Sequence, residues 1–120
     1  MADAARRPPD RVARRDAARA RRAEVTDVAV VLAAAGDILA GRPVTVAWMR
    51  TRLTRLGYPA PLVETAIERL IAVRYLDDRA FADAWLASRD RSRPRGARAL
   101  RTELLRAGVP DPVVREVLAT

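Results

Sequence analysis

Two stretches of this chain are copies of one another, and that repeat constrains its fold more than any other feature. Residues 42–67, RPVTVAWMRTRLTRLGYPAPLVETAI, align without a gap on residues 93–118, RPRGARALRTELLRAGVPDPVVREVL, at an offset of 51. Ten of the 26 columns are identical: Arg42/Arg93, Pro43/Pro94, Arg50/Arg101, Thr51/Thr102, Leu53/Leu104, Arg55/Arg106, Gly57/Gly108, Pro59/Pro110, Pro61/Pro112 and Val63/Val114.

The matching columns carry structural roles. Val46, Met49, Leu53 and Leu56 fall at i, i+3, i+7 and i+10, as do Ala97, Leu100, Leu104 and Ala107, which draws one helical stripe twice. Gly57 and Gly108 follow each stripe, where glycine most easily closes a helix in the left-handed conformation. Pro61 and Pro112 then suit a helix's first position, with Asp111 as N-cap in the second copy. Val63, Ala66, Ile67, Leu70 and Ile71 continue at helical spacing, as do Val114, Val117 and Leu118.

Each copy follows one more helix: TDVAVVLAAAGDILAG, from near Thr26 to Gly41, and DDRAFADAWLASRDRSR, capped by Asp77 or Asp78 with Phe81, Ala84, Trp85 and Ala87 or Ser88 facing inward. The fold predicted is all-α, two tandem three-helix repeats in an elongated arrangement, with a first repeat over 25–74 and a second over 75–120. Residues 1–24, rich in alanine and arginine but poor in large apolar residues, are expected to be a disordered or partly helical basic tail.

Composition narrows the chemistry. The 120 residues include no Cys and no His, which removes disulfides, thiolate nucleophiles, imidazole acid/base catalysis and most transition-metal sites together. Asp77 and Asp78 are adjacent carboxylates, but neighbours diverge on a helix and no third ligand lies nearby, so no catalytic residue, cofactor or metal is expected. The apolar run VAVVLAAAGDILAG is interrupted by Gly36 and Asp37, and the arginine pairs near the start precede no apolar stretch of signal-peptide type. A cytoplasmic chain without a membrane span is expected.

The net charge of +8 comes from arginine, since the sequence has no lysine. Residues 1–24 hold eight arginines against four acids, and residues 89–106 hold seven against Asp90 and Glu103, leaving the remainder close to neutral. The second excess lies in RYLDDRAFADAWLASRDRSRPRG, residues 74–96 and just beyond. Its first half, Tyr75, Leu76, Phe81 and Trp85, should pack the junction between repeats, while Asp77 and Asp78 cap the following helix. In the second half, Arg89, Arg91, Arg93, Arg95, Arg98, Arg101 and Arg106 exceed what a helix dipole explains and suit phosphate or carboxylate equally. Arg50, Arg52 and Arg55 form a weaker patch at the equivalent place in the first repeat. Trp48 projects on the side of Arg52 and Arg55, either as a contact anchor or packed on a neighbouring helix.

In order, RPVTVAWMRTRLTRLGYP, AIERLIAVRYLDDRAFADAWLASR and RPRGARALRTELLRAGVP resemble the RecX family of recombination regulators over about residues 27–118. The family tends to place glycine before the tyrosine, where this chain has Arg74, and commonly continues into a third repeat. The resemblance implies a monomeric, non-enzymatic modulator that binds the RecA recombinase filament on single- or double-stranded DNA, without sequence specificity, and inhibits recombination and repair. The alternatives are a small non-specific DNA-binding helical module, or a truncated paralogue without function. Helix-turn-helix base readout fits poorly, because PLVETAIERLIAV and PVVREVL, which follow the turns, are apolar and acidic.

Overall fold

The computed structural model describes residues 10–92 and 96–119, the side chains of residues 90–92 excepted. These residues are all-helical: α1 Arg11–Ala23, α2 Val28–Gly41, α3 Val46–Leu56, α4 Ala60–Ala72, α5 Asp78–Ser92, α6 Ala97–Ala107 and α7 Asp111–Ala119. Helices α2, α3 and α4 pack on one another, as do α5, α6 and α7, in a body measuring 67 × 30 × 21 Å. Among the described residues no helix is long and apolar enough to cross a membrane.

The repeat is legible in the caps. Thr45 Oγ1 accepts the Trp48 amide at 3.1 Å to start α3, and Gly57 ends that helix at φ 107°. Gly108 ends α6 at φ 102°. In the stripes, Met49, Leu53, Leu100 and Leu104 are buried, whereas Ala97, at the first position of α6, is exposed. Asp27, one residue beyond Thr26, accepts the Ala29 amide at 2.9 Å and caps α2.

Two core clusters result. Val31, Ala35, Met49, Leu53, Val63, Ala66, Ile67 and Leu70 centre the first, which also takes in Leu76. Ala82, Leu104, Val109, Val114 and Val117 centre the second, with Phe81, Trp85 and Leu86 packed against it. The inner face of α5 is therefore Phe81, Ala82, Trp85 and Leu86, while Ala84, Ala87 and Ser88 are exposed, which corrects the expected phase of that helix. Leu86 offers more apolar surface to the second core than Ala87 or Ser88 does, and Ala82 is fully buried there. Ile71, grouped with the inner face of α4, is 45% exposed.

Tyr75 also departs from expectation, being 70% exposed rather than packed in the junction. Arg74 takes a left-handed φ of 62°, and the Arg74 and Tyr75 amides donate to the Ile71 and Leu70 carbonyls at 3.0 and 2.9 Å. This double closure reverses the chain at the end of α4, turning Tyr75 to solvent and Leu76 into the first core.

The joint between the two trios centres on the start of α3. Thr45, only 1% exposed, donates its hydroxyl to the Ala107 carbonyl at 2.6 Å, so the last turn of α6 meets the first turn of α3. Opposite ends of two helix dipoles thereby adjoin. Gly108 permits this approach, since a Cβ there would lie 2.6 Å from Thr45 Oγ1. Asp77 accepts the Ala80 amide at 3.0 Å and caps α5, as expected, but Asp78 reaches away and accepts the Val46 amide at 2.9 Å. It thereby satisfies one of the open amides in the first turn of α3.

Candidate nucleic-acid interface

Arginines of the second trio divide into those held by the fold and those that are not. Arg89 Nε meets Glu103 Oε1 at 3.1 Å, and the Arg89 guanidinium lies over the Trp85 ring at 4.6 Å. Trp85 in turn stacks beside Phe81 with ring centroids 6.1 Å apart. Arg89 thus joins α5 to α6. Arg101 Nη2 meets Asp111 Oδ1 at 2.7 Å, joining α6 to α7, while Arg115 holds the other Asp111 oxygen at 2.7 Å. Arg98 and Arg106 are exposed and, among the described residues, no carboxylate pairs with either. The Arg91 side chain, Arg93 and Arg95 lie outside the described residues.

The first trio shows the same division. Arg50 grips Glu64 with two hydrogen bonds, Nε to Oε2 at 2.8 Å and Nη2 to Oε1 at 3.1 Å. Those bonds hold the Glu64 carboxyl below the usual range and raise Arg50 above its ordinary value. Arg50 and Arg101 occupy the same repeat column, and each ties the middle helix of its trio to the last one. Their identity is accounted for by architecture. Arg52 and Arg55 are exposed and, among the described residues, meet no acidic partner. Trp48 is half-buried against the first core with Arg42 over its ring at 4.6 Å, the packed arrangement of the two considered for it.

Asp77 and Asp78 shift in opposite directions. The Ala80 amide lowers the Asp77 carboxyl, whereas burial raises that of Asp78 against the opposing pull of the Val46 amide. Both are engaged in helix capping.

Sequence reasoning did not find the contribution of α1. Asp10 caps this helix by accepting the Ala13 amide at 2.7 Å. Arg19 Nη1 and Arg22 Nη1 donate to the Arg55 and Leu56 carbonyls at 2.7 and 3.1 Å, fastening α1 to the last turn of α3. The signal was present as Arg15, Arg19 and Arg22, spaced to share one helical face behind an aspartate. It was obscured by the absence of any apolar stripe.

What fold and site define is a rod of three-helix repeats with exposed arginines on both trios, a surface suited to extended anionic partners. Residues 77–118 match the model of the RecX second three-helix domain. The chain is 40% identical over 82 residues to a regulatory protein RecX from Mycobacterium sp. (strain JLS), covering 68% of this chain and 45% of that protein. It is 39% identical over 82 residues to the Mycolicibacterium smegmatis protein of that name, covering 68% and 44%, and 40% identical over 70 residues to that of Prosthecochloris aestuarii, covering 58% and 46%. The chain thus spans less than half the length of these relatives. No solved structure matches it.

Proposed function

We propose that the chain is a RecX-like regulator that binds the RecA filament on DNA and inhibits recombination and repair without itself catalysing a reaction. The similarity to proteins named regulatory protein RecX carries this reading. Its contacts are the exposed Arg98 and Arg106, with Arg91, Arg93 and Arg95 beside them in sequence, and Arg52 and Arg55 on the first trio. Arg89, Arg101 and Arg50 serve the surface by holding the helices that present it. A filament offers phosphodiester backbone and acidic protein along one groove, and a 67 Å rod with cations on both trios can engage it over several subunits.

The test is DNA-dependent ATP hydrolysis by the cognate RecA, titrated with this chain, beside anisotropy on the same single strand alone. Inhibition at a small fraction of the RecA concentration is expected, and Arg98→Glu with Arg106→Glu weakens it without loss of helicity by circular dichroism. No inhibition together with salt-sensitive binding to bare DNA supports a DNA-binding module instead.

A further inference from the structure

The end of α3 and the side of α1 enclose a groove of about 620 Å³. Arg15, Arg19 and Arg22 line it from α1, Arg52 and Arg55 line it from α3, and Asp16 is its one acidic residue. Five cations against one anion face a shared space. Such crowding of like charges opposes docking, and α1 has little to set against it. No residue of α1 is buried, and its described hydrogen bonds to α3 are the two from Arg19 and Arg22 to backbone carbonyls.

We infer that this groove is a binding site for the phosphodiester backbone of single-stranded DNA, and that α1 is its second wall. The site rests on the regulator reading and deepens it, sharing Arg52 and Arg55 with that surface and adding Arg15, Arg19 and Arg22 of α1. Arg15, Arg19 and Arg22 advance along about two turns of helix, roughly 10 Å, opposite the row formed by Arg52 and Arg55. A continuous line of guanidinium groups suits a uniform polyanion, which neutralises both walls at once. A protein partner needs an apolar centre to its interface, and here Leu56 and the largely exposed Val12 are the only sizeable apolar side chains. Arg19 and Arg22 double as structural ties, so the residues that act on DNA alone are Arg15, Arg52 and Arg55.

The experiment is anisotropy of a labelled oligothymidylate with the full chain over a salt series, comparing wild type with the triple variant Arg15→Gln, Arg52→Gln, Arg55→Gln. Removing three phosphate contacts reduces the slope of log K against log salt by about 2, which corresponds to roughly 100-fold weaker binding at 0.1 M salt if the lines converge near 1 M. Unchanged slope and affinity overturn the site. An unchanged slope with lost inhibition of ATP hydrolysis also overturns it, assigning the groove to an acidic face of the recombinase and leaving the regulator reading intact. A reduced slope in a chain that never inhibits hydrolysis upholds the groove and removes the regulator reading. Circular dichroism of the variant, with three exposed glutamines, confirms an unchanged fold.

Discussion

Arg74 shows how one residue redirects its neighbours. Among the described residues it is the one non-glycine with positive φ, at 62°, in a helix-closing position that favours glycine. The strain is not repaid by its contact with Asp77, 3.3 Å long, since the arginine side chain is 84% exposed. Arg74→Gly should therefore stabilise the chain by about 1 kcal/mol, measured as a higher urea midpoint at unchanged slope; a lower midpoint would show that the guanidinium matters. The same residue explains the misplacement of Tyr75. Apolar neighbours in the sequence, Tyr75 and Leu76, look like one packing unit, and only the left-handed turn before them sends one outward and the other inward.

Among elements, the ends of α3 and α6 are used alike. Gly57 and Gly108 each leave space for a neighbour at backbone distance: a Cβ on Gly57 would lie 2.7 Å from the Arg19 carbonyl oxygen, and one on Gly108 would lie 2.6 Å from Thr45 Oγ1. Gly57→Ala is expected to release α1, seen as faster amide exchange over 11–23 with the cores still protected. Gly108→Ala strains the turn and disrupts the Thr45 to Ala107 hydrogen bond, costing about 2–3 kcal/mol in a denaturant melt. Both glycines were legible as helix stops from the repeat. Their partners were not, because a contact between a helix end and a segment 36 or 62 residues away leaves no periodic trace. The phase of α5 was misread for a related reason, since alanines fit either face of a helix until the packing partner is known.

For the whole molecule, the repeat made the helix order readable, while the division of labour among the arginines required the structure. Composition cannot separate Arg101, held by Asp111, from Arg98, which no described carboxylate holds. The two cores are also unequal, the second containing fewer buried residues, and each trio holds one tryptophan, Trp48 or Trp85. Leu104→Ala should cost about 3 kcal/mol in the second core. In paired Trp48→Phe and Trp85→Phe backgrounds, the Trp85 signal should then be lost at lower urea than the Trp48 signal. Coincident loss of both would mean the trios unfold as one unit.

The joint between the trios has a consequence for how such a chain can change over generations. It is made by a glycine, a buried threonine hydroxyl, backbone groups and the Asp78 carboxylate that accepts the Val46 amide, none of which is one of the exposed arginines. Shape and charge are thus inherited separately. Arginines such as Arg98, Arg106 and Arg52 can be gained, lost or moved under mutational drift without altering the angle at which one trio meets the next. The outer coat of the rod is free to adapt to a new partner while its frame stays as it was.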